Sequence, residues 1–250
     1  MNKQGCLHKI PYKSVQHKLS RPGNPVRKYQ QNVIGVDGWF ALLMYELVEF
    51  CVTPVPGRLG RFFRSVFYPC IFASFSRTGE MGKNLTIHQP IKISIAGRVV
   101  VGDFVTLKVK GEGERIVLHE NVCVGEKCII SCSGGTIVIG EGTVVENECR
   151  LGTLKGLLVG ECCHIGSQTY ITGASHAFDR LDVPIIQQVK TCRGETIVGN
   201  HVKIGCGVTI LDGVKIGDYA CIADGSLVLK DVAAFSSVQG VPAVPISCLD

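Results

Sequence analysis

Seven histidines and thirteen cysteines are the side chains of this 250-residue chain best suited to moving a proton or holding a metal ion. His176 stands apart because it ends a repeated six-residue phrase, ITGASH, and begins a long interruption of the repeat. The ring of His176 can therefore point away from the repeat while its backbone stays attached to the last phrase. The other six lie in the polar N-terminus, near the first repeats or at repeat positions that can face solvent, and we expect surface placement for them: His8, His17, His88, His119, His164 and His201.

The elements that must position these residues follow a repeat of period six. Between Val198 and Leu227 five phrases succeed one another without a gap, VGNHVK, IGCGVT, ILDGVK, IGDYAC and IADGSL, and a partial sixth begins at Val228. Neither an α-helix nor a half-buried strand has this period. We predict a mainly β fold, a parallel β-helix in which each phrase opens on an inward aliphatic residue and three phrases complete one turn. The glycine that often follows the opener allows a sharp corner.

The same phrase recurs upstream with interruptions. Extra residues at Thr136–Val138 and Leu157–Leu158 are predicted to form short outward bulges. The β-helix is predicted to run from residue 82 to 232 with one excursion at 176–197, and residues 233–250 form a C-terminal tail. The upstream openers are Val101, Leu118, Val124, Ile130, Ile139, Val145, Leu151, Val159, Ile165 and Ile171.

The cysteines indicate packing rather than cross-linking. Three of them occupy the fifth place of a phrase, where a small core residue is expected, namely Cys128, Cys149 and Cys163. Thiols used in this way fit a reducing cytosol. A zinc site is the alternative, but strand-like spacing and the lack of a CxxC pair disfavour the available cysteines, Cys123, Cys128, Cys132 and the Cys162–Cys163 pair.

The basic character of the chain belongs to its N-terminus. Residues 1–80 contain eleven Lys and Arg against four Asp and Glu, whereas the remaining 170 residues contain fifteen against seventeen. We expect residues 1–35 to be a flexible basic tail. No secretory signal peptide and no nucleic-acid-binding motif is recognised, so a cytoplasmic protein that does not bind nucleic acid is expected.

Residues 36–81 are predicted to form a helical arm. A helix over Asp37–Val52 is too short, and with Glu46 and Glu49 too charged, to span a bilayer. A second helix places three arginines among phenylalanines, namely Arg58, Arg61 and Arg64. Such a helix either caps the open end of the β-helix or lies on an anionic membrane surface, and both roles are compatible.

The block from Val198 to Ala243 resembles the C-terminal half of the hexapeptide-repeat acyltransferases, and IADGSLVLKDVAAFSSVQGVPA is similar to their closing signature. PVPGRLGRFFRSVFYP and SHAFDRLDVPIIQQ resemble the surface-polysaccharide O-acetyltransferases within that family. The resemblance covers about residues 36–245. It implies a left-handed β-helix, a homotrimer, and an active site in the groove between two subunits.

The resemblance also implies site residues. His176 stands where the family has the His that removes a proton from the acceptor, and Asp179 is placed to orient the ring or receive the acceptor. For the acyl-CoA donor, motif alignment assigns pantetheine contacts to Gly205, Cys206 and Asp224, and a phosphate contact to Lys230. A metal-dependent hydratase on the same β-helix would need three convergent histidines.

Three positions depart from the family pattern. Asp224 stands where Ala is usual, Lys203 where Trp is common and Leu229 where Thr is common. An acidic side chain beside the coenzyme phosphates would weaken donor binding unless a neighbour pairs with it.

The function implied is acetyl-CoA-dependent O-acetylation of a sugar or polysaccharide precursor, with acetyl-CoA as the acyl donor and no metal. Amino-sugar N-acetylation is the alternative within the enzyme class. A non-catalytic β-helix scaffold trimer is the alternative outside it.

Overall fold

The computed structural model describes residues 8–10, 24–111 and 113–248. Three helices precede the β-helix: α1 is Pro25–Tyr29, α2 is Trp39–Leu47 and α3 is Gly57–Phe67. Helix α1 continues as a π-helical turn at Gln30–Ile34, α2 continues as one at Val48–Val52, and α3 ends in a 3-10 turn at Tyr68–Cys70. Further 3-10 turns are Pro90–Lys92 and Ile185–Gln187.

Short parallel strands form most of the remaining chain. In order they are β1 His8–Ile10, β2 Ser74–Phe75, β3 Glu80–Met81, β4 Thr86–His88, β5 Ile93–Ile95, β6 Val100–Val101, β7 Thr106–Val109, β8 Arg115–Leu118, β9 Cys123–Val124, β10 Ile129–Cys132, β11 Thr136–Ile139, β12 Val144–Val145, β13 Arg150–Thr153, β14 Leu157–Val159, β15 His164–Ile165, β16 Tyr170–Ile171, β17 Ser175–His176, β18 Lys190–Cys192, β19 Thr196–Val198, β20 Lys203–Ile204, β21 Thr209–Ile210, β22 Lys215–Ile216, β23 Cys221–Ile222, β24 Leu227–Val228, β25 Ser236–Gln239 and β26 Val244–Cys248.

Apart from β1, β17 and β18, these strands stack into the three walls of a parallel β-helix of about seven turns. Sheet I has the order β2-β5-β8-β11-β14-β19-β22, and sheet III has the order β4-β7-β10-β13-β16-β21-β24. Sheet II has the order β3-β6-β9-β12-β15-β20-β23-β25, and β26 closes its end as an antiparallel strand. The predicted fold class is confirmed.

The inward column of the β-helix is the one predicted from the repeat. Every predicted opener is buried, from Val101 through Val228. The bulges, however, lie elsewhere: Thr136–Val138 and Leu157–Leu158 belong to β11 and β14. The chain instead turns at Gly135, whose left-handed φ is +73° and where a Cβ would lie 1.8 Å from the Lys155 carbonyl of the next turn. Only glycine fits so close an approach.

Small polar side chains at the fifth place form hydrogen bonds inside the wall. Each donates to a backbone carbonyl about one turn further along, at 2.8 to 3.2 Å, as Cys128, Thr143, Cys149, Cys163 and Thr169 all do. A buried carbonyl without a donor is costly, so these side chains satisfy groups that an alanine would leave unpaired. The fifth-place cysteines are therefore hydrogen-bond donors as well as small core residues.

The helices pack on the first turn of the β-helix. Val48 and Val52 belong to the same continuous core as Ile87, and the Tyr45 hydroxyl donates to the Ile87 carbonyl at 2.7 Å. The Arg64 side chain is only 2% exposed. Its guanidinium group donates to the carbonyls of Met81 at 2.8 Å, Val55 at 2.8 Å and Val52 at 3.3 Å. Arg64 therefore joins the helices to the first turn and does not face a membrane.

Several elements extend beyond the predicted limits. Helix α1 lies within the range 1–35 predicted as a tail, and β1 pairs with β18 in antiparallel fashion. The rest of that tail, 1–7 and 11–23, lies outside the described residues. At the two ends, β2, β3 and β25 add to the sheets beyond residues 82 and 232. Within the described ranges, no helix combines the length and the apolar character needed to cross a bilayer.

Candidate active site

The excursion between β16 and β19 is held by a short antiparallel sheet. His176 in β17 pairs with Lys190 in β18, and β18 also pairs with β1. Gln188 is buried at the base of the loop, and its amide nitrogen donates to the carbonyls of Arg180 at 2.7 Å and Val183 at 2.9 Å. The excursion thus has an internal scaffold that fixes the backbone around His176.

The His176 ring has a contact that selects its tautomer. Its Nδ1 lies 3.3 Å from the carbonyl oxygen of Gln188. A carbonyl only accepts hydrogen bonds, so Nδ1 must carry the hydrogen of the neutral ring and Nε2 must carry the lone pair. This is the tautomer in which Nε2 can accept a proton.

Asp179 lies on the exposed part of the excursion. Its charge acts on Arg180, whose pKa is raised first by a hydrogen bond with Asp182 and then by the field of Asp179. The carboxylate of Asp182 is in turn ion-paired with Arg180, which lowers the pKa of that carboxyl. The loop therefore carries a small charged cluster three to six residues beyond His176.

The predicted pantetheine contacts meet at one corner, where sheet II turns into sheet III. The Asp224 Oδ1 accepts a hydrogen bond from the Cys206 backbone N–H at 2.8 Å, and a Cβ on Gly205 would lie 2.2 Å from that oxygen. The Gly205 N–H donates to the Ile222 carbonyl at 2.9 Å. These two N–H groups are thus used within the β-helix, whereas carbonyl oxygens at the corner keep a second lone pair.

The Asp224 contact recurs along the molecule. In each case an Asp or Asn oxygen accepts the backbone N–H of a corner one turn earlier, and the other pairs are Asp103 with Lys83, Asn147 with Glu126, Asn200 with Glu161, and Asp218 with Asn200. The departure at Asp224 therefore has a structural reason: it is one more corner acceptor. Its negative charge is directed at an N–H of its own chain.

Lys230 lies at the other edge of sheet III, in the exposed turn after β24. The excursion leaves the β-helix at this same edge, between sheets III and I. Arg193 of the excursion donates to the Leu229 carbonyl at 3.3 Å, which brings a second cation to the turn. Sequence reasoning missed Arg193, because 36 residues separate it from Leu229 and no motif marks it. Within this chain, His176 and Lys230 thus share an edge that does not contain Gly205.

A polar cluster on the outside of sheet II was also missed. Glu146 bridges His164 Nε2 at 3.0 Å and the Ser167 hydroxyl at 2.6 Å. The Ser167 hydroxyl, its backbone N–H and then His164 lower the pKa of Glu146. Glu146 lies on one turn and His164 and Ser167 lie on the next, and the interrupted repeat between those two turns hides the spacing.

The cysteine and histidine sets do not converge. Cys128 and Cys132 are buried inside the wall, whereas Cys123 lies on its outer face. His164 lies on sheet II, His176 on the excursion and His201 at the corner between sheets I and II. Across the described residues, no group of three or more His, Cys, Asp and Glu side chains is arranged to hold a metal ion.

Comparison with known proteins finds a matching family model. The model of the bacterial transferase hexapeptide, six repeats long, matches residues 195–230, which are stacked here as successive phrases of the β-helix. This stretch of the chain is similar to the hexapeptide-repeat transferases. It contains the gapless run of period-six phrases, whose openers are buried.

Relatives of this hexapeptide-repeat chain include named acyltransferases. A probable macrolide acetyltransferase of Lysinibacillus sphaericus is 37% identical over 103 residues, 35% of this chain and 57% of that protein. The dTDP-4-amino-4,6-dideoxy-D-glucose acyltransferase of Escherichia coli is 26% identical over 138 residues, 54% of this chain and 72% of that protein. The chain thus spans little more than half of the macrolide acetyltransferase. The polySia-specific acetyltransferase NeuO has the same fold, with a TM-score of 0.50, 22% identity, and coverage of 68% of this chain and 76% of that one.

Proposed function

We propose that this hexapeptide-repeat transferase is an acetyl-CoA-dependent O-acetyltransferase that acts on a hydroxyl of a sugar or polysaccharide precursor. The matching family model and the named relatives support acyl transfer. The contact between His176 Nδ1 and the Gln188 carbonyl is the observation that carries the assignment of the base. The enzyme would act in the cytosol, where thiols stay reduced.

His176 is the general base of the proposed reaction. Its Nε2 accepts the proton of the acceptor hydroxyl while the hydroxyl oxygen attacks the thioester carbonyl carbon. The tetrahedral intermediate then collapses, the C–S bond breaks, and the coenzyme A thiolate takes up the proton from Nε2. The Gln188 carbonyl stabilises the imidazolium that forms in between, because it accepts a hydrogen bond from Nδ1. Asp179 is proposed to contact the acceptor from the exposed loop.

Donor binding is proposed along the edges of sheet III. Lys230 and Arg193 supply positive charge for the coenzyme phosphates at the edge from which the excursion leaves. At the opposite corner the N–H groups of Gly205 and Cys206 are already bonded, so a pantetheine amide would donate to carbonyl oxygens there. Asp224 contributes by fixing that corner.

A homotrimer would complete the site. His176 and the Gly205 corner lie on different edges of sheet III, so one chain does not surround a substrate with both. If three β-helices pack side by side, the excursion edge of one subunit faces the Gly205 corner of its neighbour. We therefore propose that each active site contains residues of two subunits.

Measurement of turnover tests the proposed role of His176 as general base. His176→Ala should reduce acetyl transfer by about a hundredfold or more, since a positioned base contributes roughly 10²- to 10⁴-fold. The oligomer mass and melting temperature should stay unchanged. His119→Ala is the matched control, because His119 is an exposed histidine at a corner remote from the excursion. If His176→Ala keeps full activity, the assignment of the base is wrong.

Two alternatives remain distinguishable by product analysis. The first alternative is acetylation of an amine, which the relative named for an amino sugar supports. Mass spectrometry of the products from paired hydroxy- and amino-sugars would distinguish amides from alkali-labile esters. A scaffold trimer without catalysis would show neither acetyl-CoA binding nor turnover with any acceptor. Acetyl-CoA binding by calorimetry, with about one site per chain, would exclude it.

A further inference from the structure

The outward side of α2 is almost entirely apolar. Trp39, Phe40, Leu43, Leu47 and Phe50 are between 42% and 83% exposed. At 3.6 residues per turn they fall within one arc of the helix and its π-helical continuation. Tyr45, Val48 and Val52 occupy the opposite arc and are buried against the β-helix. Helix α2 thus has two apolar sides, and only one of them is covered by the described part of this chain.

Helix α3 adds to this exposed surface. Leu59, Phe62 and Val66, spaced at i, i+3 and i+7, are 45% to 61% exposed, whereas Arg64 on the other side is bonded to the first turn. Because both helices bury one side on the same first turn, their exposed sides both face away from it. We call the exposed apolar residues of α2 and α3 the apolar helix face. Exposed apolar surface of this extent usually marks a binding surface.

The charges around the apolar helix face show which partner fits it. Glu46 accepts a hydrogen bond from the Tyr29 hydroxyl at 2.7 Å, and a carboxylate oxygen of Glu49 lies 3.2 Å from the Tyr45 hydroxyl. Arg58 is exposed on α3 beside the apolar residues. Arg27 and Lys28 lie in the last turn of α1, the helix that precedes α2. Apolar rings bordered by cations are typical of helices that lie in a lipid interface.

We propose that the apolar helix face inserts into the headgroup region of a lipid bilayer and holds the protein on the membrane surface. Insertion is driven by the apolar side chains, and the basic residues add attraction to anionic lipids. Arg64 takes no part. The docking proposal does not depend on acyl transfer, because vesicle binding is measured without turnover.

Trp39 is a built-in probe for this proposal, because it is the single tryptophan of the chain and is 71% exposed. We would titrate the full chain with phosphatidylcholine vesicles, with and without about one phosphatidylserine in five lipids. Trp39 emission and co-sedimentation would be recorded at low and high salt. We expect a blue shift and pelleting on both vesicle types, with binding to neutral vesicles retained at high salt. Phe40→Ser and Phe50→Ser should each weaken partitioning by about tenfold.

Ile186→Ser is the matched control, since Ile186 is exposed on the excursion, and it should bind vesicles like the wild type. Three results would overturn the proposal. They are no binding to either vesicle type, binding that needs phosphatidylserine and disappears at high salt, and a concentration-dependent blue shift without lipid that Phe40→Ser abolishes. The last would show that a second copy covers the face. Loss of turnover with vesicle binding intact would count only against the proposed acyl transfer.

Discussion

At the residue scale, two neighbouring backbone groups define what His176 and Asp224 can do. The Gln188 carbonyl fixes the His176 tautomer, and the Cys206 N–H engages the Asp224 carboxylate. Sequence alone suggested that Asp224 would repel the coenzyme phosphates. The corner geometry gives the same residue a structural partner, so its charge is partly offset where it sits.

The two roles of Asp224 can be separated by substitution. Asp224→Asn keeps the Oδ1 acceptor and should leave both stability and acetyl-CoA affinity close to wild type. Asp224→Ala removes the acceptor and should lower the free energy of unfolding by about 1 kcal/mol. Chemical denaturation and calorimetry provide the two measurements.

Asp218→Ala is the matched control for the stability effect. Asp218 accepts the Asn200 N–H at 2.7 Å, but at a corner of sheet I remote from the proposed donor contacts. Its loss of stability should equal that of Asp224→Ala, with no change in acetyl-CoA affinity. A tenfold gain in affinity for Asp224→Asn would contradict our interpretation and restore the repulsion argument.

At the element scale, the helical arm is a cap whose key polar contact is internal. Arg64 supplies donors to carbonyls of the first turn and of the segment that joins α2 to α3. Gly60 makes this packing possible, because a Cβ there would lie 1.9 Å from the Val55 carbonyl. The sequence left two roles open for the helix with these three arginines, capping of the β-helix and contact with a membrane surface. The three arginines differ in burial, because Arg64 is buried whereas Arg58 and Arg61 are exposed.

Arg64→Met should destabilise the cap strongly. It removes a buried cation and leaves several carbonyls without donors, at a cost of about 3 kcal/mol in the free energy of unfolding. Arg61→Met is the matched control: its exposed ion pair with Glu80, at 2.9 Å, should be worth less than about 1 kcal/mol. If denaturant titrations gave the two variants equal losses in the free energy of unfolding, the buried contacts of Arg64 would contribute no more than an exposed ion pair.

At the scale of the whole molecule, the β-helix was predictable because one inward aliphatic residue must recur in every phrase. The openers from Val101 to Val228 were identified from spacing alone, and all are buried. Contacts between distant segments left no such signal. The pairing of β1 with β18 and the contact of Arg193 with Leu229 depend on where interruptions shift the register between turns. Local spacing does not encode these shifts.

The wall of the β-helix should also protect its thiols. Burial raises the pKa of Cys132 to about 11, so little thiolate forms there at pH 8. In the native protein, alkylation followed by peptide mass spectrometry should modify the exposed Cys51, Cys70, Cys162 and Cys206 first. Cys128, Cys132, Cys149, Cys163 and Cys192 should react only after denaturation. Rapid native labelling of Cys149 would show that the wall opens locally.

The excursion enters and leaves the β-helix without breaking its ladders. β16 continues from β13 to β21, and β19 continues from β14 to β22, so the turns on either side are paired as if the loop were absent. The loop between β16 and β19 is therefore an exchangeable insertion. The loop can therefore change in length or sequence during evolution while the stacked turns of the β-helix stay the same. Another loop could likewise be grafted between β16 and β19.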